Sequence, residues 1–190
     1  MKLNQSRIEL KKSKTSLESM KKAKDLDEYE THWRNFLNDL EKVWIKSERE
    51  CQDLKNKFQP WQGKFKRERR TFSLLKYLKN ARDADVHSIH EIVEKSPGST
   101  AINFANKKGG HIKEIKFENG AITKYEGDPI VAKIKAPKIE ACTFTNNGQT
   151  FVPPQNYRGV GLKNPRNPIE LAQKGIEYYE NYLEQIEANF

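Results

Sequence analysis

The sequence has little cysteine and no long apolar run. Its two cysteines, Cys51 and Cys142, fall in a helical and in a strand-like pattern. Two such residues give neither a disulfide framework nor a paired metal-ligand spacing. No run of about 18 apolar residues is present to cross a bilayer, and the N-terminus lacks the apolar core of a secretion signal. We therefore expect a soluble cytoplasmic protein without disulfides and without a membrane partner.

The common cofactor motifs are also missing. The sequence contains no Walker-type phosphate loop, no dinucleotide fingerprint and no catalytic-triad pattern. The glycines of YRGVGLKN, residues 157–164, have neither a following lysine-serine pair nor a strand-turn-helix context, so they predict a loop. We expect no bound cofactor.

Positive charge is in excess and unevenly distributed. Lys and Arg number 35 against 26 Asp and Glu, which gives a net charge of +9. Clustered positive charge is typical of proteins that bind polyanions, of which nucleic acid is the commonest, although basic helices that face solvent or acidic neighbours show it too. The segment KFKRERR, interleaved with Trp61 and Phe65, predicts a set of nucleic-acid-binding residues. These are Lys64, Lys66, Arg67, Arg69 and Arg70.

Helical periodicity dominates the first half of the chain. Residues 1–24 form a weak helix candidate with leucines seven apart, and residues 27–55 place apolar side chains three and four apart, as a long amphipathic helix does. Pro60 and Gly63 predict a break in FQPWQG. A second clear helix is predicted from about Arg67 to Glu94.

The period changes to alternation between about Ile112 and Pro154. Asn119-Gly120 predicts a tight hairpin turn because both turn positions need a positive φ, and Asn146-Asn147-Gly148 predicts another. Four or five short antiparallel strands should result. The last helix should begin with Asn167 as N-cap, Pro168 as first residue and Glu170 as the reciprocal capping carboxylate.

These patterns predict an α+β fold, a helical bundle with an inserted or attached small antiparallel β-sheet. We divide the chain into a helical bundle (1–98), a β-rich insertion (99–163) and a C-terminal helix (164–190). The apolar seam of that helix needs another helix to cover it, so it should return to the bundle.

Arg82 and Asp85 stand in unexpected places on the second helix. At about 100° per residue they share a stripe with Leu75, Leu78 and Ile89. Burying a guanidinium costs on the order of several kcal/mol unless it is paired, and Asp85 is one turn away. The spacing therefore predicts either a structural Arg82–Asp85 ion pair or a functional role.

The segment RDADVH resembles the Arg, polar residue, three residues, His pattern of the HEPN superfamily, whose members are helical bundles and often metal-independent ribonucleases. LLKYLKNARDADVHSI and YRGVGLKNPRNPIELAQKGIEYYENYL are also similar to a widespread group of uncharacterised bacterial proteins. The HEPN resemblance implies that Arg82 binds phosphate, that His87 acts as general acid or base and that Asp83 supports them. It also implies a homodimer, because two such motifs usually meet across a dimer.

Several functions therefore remain open. His87 and His90, with Asp83, Glu91 and Glu94 nearby, could supply metal ligands, but the spacing matches no zinc motif and we predict no metal site. A non-catalytic interaction or structural module is the function we favour, because a helical bundle does not imply catalysis. The alternatives are a metal-independent ribonuclease of a toxin or antiphage type and a non-catalytic nucleic-acid-binding protein.

Overall fold

The computed structural model describes residues 3–87, 91–106 and 108–190, and the side chains of Val86, His87 and Ile134 are not among the described atoms. The chain forms two compact units. The first contains Met1–Lys95 and Ile139–Phe190, and the second contains Ser96–Lys138. Five helices and small two-stranded sheets confirm the α+β class, with 55% of the described residues in helices.

Five α-helices occur in the described residues, all of them in the first unit. They are α1 (Asn4–Lys22), α2 (Leu26–Glu50), α3 (Lys55–Thr71), α4 (Ser73–His87) and α5 (Pro168–Asn189). A single 3-10 turn, Gln52–Leu54, precedes α3. No helix in the described part of the chain is both long and apolar enough to span a bilayer.

The heptad of leucines makes α1 an ordered part of the bundle. Leu3, Leu10 and Leu17 are buried, and α1 packs along α2. Asp25 is the N-cap of α2, and its carboxylate accepts a hydrogen bond from the backbone N–H of Glu28 at 2.8 Å. That bond satisfies one of the free N–H groups at the start of α2.

The C-terminal helix packs against α1, α2 and α4. It approaches α2 and α4 closely at Gly175, where a Cβ atom would lie 2.8 Å from Leu78 Cδ1 and 3.1 Å from Leu40 Cδ2. Farther along α5, the buried hydroxyl of Tyr182 lies 3.0 Å from Ser47 Oγ and accepts a hydrogen bond from Gln62 Nε2. The seam of α5 is thus covered by helices of the N-terminal half.

The predicted break and the predicted helix between residues 58 and 94 are both wrong in their bounds. Pro60 lies inside α3. The chain leaves helical geometry instead at Phe72, whose φ and ψ are -73° and 120°. The helix that follows ends at His87 within the described residues, and a strand begins at Val93. A proline costs α3 one backbone hydrogen bond, and burial of Phe58 and Phe65 opposes that loss.

Ten short strands occur in the described residues, and they form five two-stranded sheets. They are β1 (Val93–Ser96), β2 (Ser99–Phe104), β3 (Ile112–Glu118), β4 (Ala121–Gly127), β5 (Ile130–Lys135), β6 (Lys138–Ala141), β7 (Phe144–Asn146), β8 (Gln149–Phe151), β9 (Asn156–Tyr157) and β10 (Val160–Gly161). The pairs are β1–β6, β2–β5, β3–β4, β7–β8 and β9–β10.

Asparagine-glycine pairs form the hairpin turns as predicted. Asn119 and Gly120 have φ values of 49° and 77° between β3 and β4. Asn147 and Gly148 have φ values of 48° and 73° between β7 and β8. Positive φ at both turn positions matches the twist of the flanking strands.

The compact second unit, Ser96–Lys138, is shorter than the β-rich segment 99–163 of the sequence division, although strands continue to Gly161. Strands β7 and β9 contact α4 within the first unit, and Phe144 packs its ring 5.2 Å from that of Tyr77. The Tyr77 hydroxyl donates a hydrogen bond to the Cys142 carbonyl at 2.7 Å. Residues 139–163 therefore belong with the helices, because their apolar side chains help to fill the helical core.

At the start of α5, the predicted N-cap at Asn167 is confirmed, but the predicted capping role of the Glu170 carboxylate is not. Asn167 Oδ1 accepts a hydrogen bond from the backbone N–H of Ile169. Glu170 accepts from the backbone N–H groups of Lys163 and Asn164, both at 2.8 Å, and thus orders the preceding loop. The predicted hydrogen bond from the Asn167 backbone N–H to the Glu170 carboxylate was wrong. That N–H donates to the Asn164 carbonyl instead, and the Glu170 carboxylate accepts from the two loop N–H groups.

Candidate functional site

Arg82 lies on α4 and contacts α2. Its Nε donates a hydrogen bond to Asn38 Oδ1 at 3.3 Å, and its Nη1 donates to Asp83 Oδ1 at 3.0 Å. The side chain is 30% exposed. The guanidinium is thus held from two sides by polar groups of the protein, and part of it remains in contact with solvent.

Asp85 has a different partner from the one predicted. Its carboxylate accepts from Arg34 Nε at 3.0 Å, and Arg34 also donates to Glu30 Oε1 at 2.9 Å. The predicted Arg82–Asp85 ion pair is therefore wrong. Both side chains contact α2, where Arg34 and Asn38 lie one helical turn apart. Asn38 is the partner of Arg82, and Arg34 is the partner of Asp85.

Arg82, Asp83 and Asp85 on α4 form what we call the polar seam, and its two aspartates respond to their surroundings in opposite ways. Burial alone would raise the pKa of Asp83, but hydrogen bonds from Lys79 and Arg82 hold it below its ordinary value. Burial raises the pKa of Asp85 above its ordinary value, against the opposing effect of Arg34. Asp83 is thus a stably ionised partner for two cations.

The third residue of the predicted catalytic set cannot be placed against the other two. His87 is the last residue of α4, and its side chain lies outside the described atoms, as does the whole of His90. Arg82 and Asp83 are adjacent and in contact. Within the described residues, no three His, Cys, Asp or Glu side chains are grouped to hold a metal ion.

The predicted basic strip on α3 does not form one surface. Arg69 is only 8% exposed, its Nη2 donates to Glu41 Oε2 at 2.5 Å, and its guanidinium lies 4.3 Å from the centre of the Trp44 ring. Its assignment as a surface phosphate ligand was wrong, because the helix turns this position towards α2. Phe65 is buried as well, so its ring is a core side chain and is not free to stack on a base.

The other four cations of that strip, Lys64, Lys66, Arg67 and Arg70, do not share one set of neighbours. Lys64 lies over the Phe65 ring and donates to Gln185 Oε1 on α5 at 2.8 Å. Lys66 lies 3.5 Å from Glu48 on α2. Arg67 and Arg70 are exposed. Of these four, Lys66 and Arg70 line the same cavity.

That cavity, which we call the basic groove, has a volume of about 430 Å³. It lies within the first unit, where α2, α3 and α4 meet. Its lining residues are Trp44, Lys66, Arg69, Arg70, Lys76, Lys79 and Asn80. Five of these seven side chains are cationic, and none is a carboxylate.

Three carboxylates outside the lining neutralise part of the groove. Glu48 pairs with Lys66, Glu41 with Arg69 and Asp83 with Lys79. In the part of the chain that the structure describes, no carboxylate lies within ion-pair distance of Arg70 or Lys76. Both side chains are exposed, and the Lys76 ammonium lies 5.5 Å from the Phe151 ring. These two cations are the ones available to an incoming anion.

Lys76 and Lys79 were not among the predicted site residues. The sequence predicted one continuous helix through this region, and such a rod would carry them away from Arg70. The break at Phe72 folds α4 back beside α3 and brings the three cations to one cavity. Lys76 and Lys79 are three residues apart, so helical periodicity could have predicted that they lie on the same side of the helix.

A second cavity, of about 660 Å³, lies between the β9–β10 hairpin and the first turns of α5. Its lining carries cations and carboxylates alike, among them Arg158, Lys174 and Glu177, and the Glu170 carboxylate is already used by backbone donors. The basic groove is therefore the cavity with the clearer chemical preference.

Comparisons of the chain with models of known protein families, with curated proteins and with solved structures found no match. The fold and the groove together define an α+β protein with a cationic cavity at the junction of three helices. The chemistry of that cavity suits an anion, because it offers ammonium and guanidinium donors without a competing carboxylate in its lining.

Proposed function

We propose that this protein is a non-catalytic interaction module that binds nucleic acid through the basic groove. The observation that carries the proposal is that Arg70 and Lys76 line the groove with no carboxylate at ion-pair distance among the residues that the structure describes. A polyanion would supply the missing partner, and the net charge of +9 would attract it over a longer range.

The proposal can be tested with a groove variant, Arg70→Gln with Lys76→Gln. Neither substitution leaves a buried carboxylate unpaired, so the variant should fold as the wild type does. A matched control is Lys11→Gln with Lys22→Gln, because these lysines are exposed on α1 and the change in net charge is the same. Binding of a labelled duplex would be measured by fluorescence anisotropy near 0.1 M salt.

The groove variant should bind about tenfold or more weakly than the control variant, since two phosphate contacts are lost. Equal weakening in both variants would mean that net charge alone attracts the nucleic acid, and the groove would then be the wrong site. No binding by the wild-type protein at low salt would overturn the proposed function.

The contacts of Arg82 support a role without catalysis. Its Nε and Nη1 donate to Asn38 on α2 and to Asp83 on α4, so binding a phosphate through these donors would require Arg82 to give up both contacts, of which the first joins α4 to α2. A metal-independent ribonuclease remains the alternative that the HEPN resemblance implies. RNA incubated with the protein and a chelator should stay intact. Cleavage that disappears in both Arg82→Ala and His87→Ala, with folding retained, would replace the module by the enzyme.

The cytoplasmic location and the homodimer that we expect from the sequence belong to the same proposal. A dimer would present two basic grooves to one nucleic acid and so raise its affinity without new contacts. The mass in solution, measured by light scattering at two concentrations, should be twice that of the chain. A monomer at both concentrations would remove the dimer from the proposal and leave the groove.

A further inference from the structure

The second unit is a two-stranded ribbon. Strand β2 pairs with β5 and strand β3 with β4, and no third strand joins either pair among the described residues. Two backbone hydrogen bonds continue the pairing between them, from Ala105 N–H to the Pro129 carbonyl and from Asp128 N–H to the His111 carbonyl. A two-stranded ribbon is marginally stable in water unless something packs on it.

The register of β2 and β5 separates two faces. Lys135 lies opposite Ser99, Lys133 opposite Ala101, and Val131 opposite Asn103. Because directly paired residues project to the same side, these six share one face. We call this the lysine face. The intervening pairs place Ile102, Phe104 and Ile130, all half-buried, on the other side.

The two strands that carry the lysine face contain no acidic residue. Neither β2 nor β5 contains a carboxylate, and within the described residues none lies at ion-pair distance from Lys133 or Lys135. Strands β3 and β4 differ, since their lysines are paired. Lys113 bonds to Glu126, and Glu114 accepts from both Lys116 and Lys124. Among the described residues of the second unit, Lys108, Lys133, Lys135 and Lys138 have no carboxylate at ion-pair distance, and Lys133 and Lys135 are the two that share one face of a strand pair.

We propose that the lysine face binds the phosphate backbone of a B-form DNA duplex, with the ribbon lying in the major groove. This inference rests on the proposed function for its ligand class and uses a different surface. A B-form major groove is about 12 Å wide and admits a two-stranded ribbon. The major groove of duplex RNA is too narrow and deep for one. Ser99 and Asn103 add short hydrogen-bonding side chains beside the lysines.

A second copy of the chain is the competing occupant, and charge disfavours it. Residues 96–138 contain eight lysines and four carboxylates, and the whole chain carries +9. Bringing the lysine face against another copy therefore opposes like charges, whereas DNA supplies the opposite sign along its full length.

The test uses the full chain and a ribbon variant, Lys133→Gln with Lys135→Gln. The matched control is Lys11→Gln with Lys22→Gln on α1, which lowers the net charge by the same two units. Affinity for a DNA duplex and for an RNA duplex of the same sequence would be measured over a series of salt concentrations.

For DNA, the slope of log K against log salt should fall by about 1.8 in magnitude in the ribbon variant, because each lost phosphate contact contributes about 0.9. The control should match the wild type, and RNA binding should change far less than DNA binding. Wild-type DNA affinity in the ribbon variant, or an equal loss with RNA, would overturn the inference. So would loss of a dimer by this variant with DNA binding unchanged.

The two proposals fail separately. If the groove variant weakens DNA binding and the ribbon variant does not, the ribbon inference is wrong and the proposed function stands. If only the ribbon variant weakens binding, the basic groove is the wrong site and the lysine face is the DNA-binding surface. If the wild type binds neither duplex, both are wrong.

Discussion

Individual charged residues of this protein owe their roles to partners that are distant in the sequence. Arg69 belongs to the most basic segment of the chain, yet Glu41 and Trp44 on α2 hold it in the interior. Arg70, the next residue, is exposed and lines the basic groove. One step along a helix changes direction by about 100°, so neighbours of equal charge can have unrelated functions.

Replacing Arg69 by Met should destabilise the fold by about 3 kcal/mol, because Glu41 would be left largely buried without its cation. Chemical denaturation followed by circular dichroism measures the change. The double variant Arg69→Met with Glu41→Leu should recover most of the loss, since it removes the unpaired charge as well. If the double variant is no more stable than the single one, the ion pair is not what holds this position.

Asp83 gives the polar seam a pH dependence. Its pKa is below the ordinary value in the folded protein, so the ionised form is stabilised by folding. The contribution is complete above the ordinary pKa of an aspartate, about 4, and is lost as the pH falls through the lower folded-state pKa. Asp83→Asn should therefore lower the free energy of unfolding at pH 7, and the difference from the wild type should shrink below pH 4. A difference that is constant between pH 7 and pH 3 would contradict this role.

At the level of helices, strands and turns, features that depend on neighbouring residues could be predicted from the sequence, whereas features that depend on tertiary packing could not. Turn and cap chemistry was predictable, as the hairpin at Asn119-Gly120 and the cap at Asn167 show, because those residues satisfy their own backbone neighbours. The break at Phe72 was not predictable, since RTFS contains neither glycine nor proline, and Pro60 suggested a break elsewhere. The partners of Arg82 and Asp85 were also beyond the sequence, because they depend on how α4 packs on α2.

Two helical glycines offer a direct comparison of element packing. Gly63 in α3 has no heavy atom within 4 Å of the place where a Cβ would stand, whereas at Gly175 in α5 the space is occupied by Leu78 and Leu40. Gly63→Ala should stabilise the protein by about 0.5 to 1 kcal/mol through helix propensity. Gly175→Ala should gain nothing, and Gly175→Val should cost about 1 to 3 kcal/mol through overpacking. Equal stabilisation by both alanines would show that α5 does not approach α2 and α4 this closely.

At the scale of the whole molecule, unpaired positive charge recurs in both units. In the first it lies in a cavity between helices, at Arg70 and Lys76, and in the second on one face of a two-stranded ribbon, at Lys133 and Lys135. Other cations of the described surface are paired with carboxylates, as with Lys14 and Glu180 or Arg7 and Glu187, and others, such as Lys11 and Lys22, are exposed without one. The net charge of +9 predicted an anionic partner, and the structure shows that Arg70 and Lys76 line one cavity and that Lys133 and Lys135 share one face of a strand pair.

The salt dependence of DNA binding by the wild-type protein tests this account most directly. Phosphate contacts by Arg70, Lys76, Lys133 and Lys135 predict that log K falls with log salt with a slope of about -3 to -4, because each contact releases close to one counterion. Fluorescence anisotropy of a labelled duplex between about 0.05 and 0.3 M salt would give that slope, because each pair of contacts should lower K about 25-fold over this range. A slope near zero, or no binding at the lowest salt, would contradict the claim that the unpaired cations of this protein bind nucleic acid.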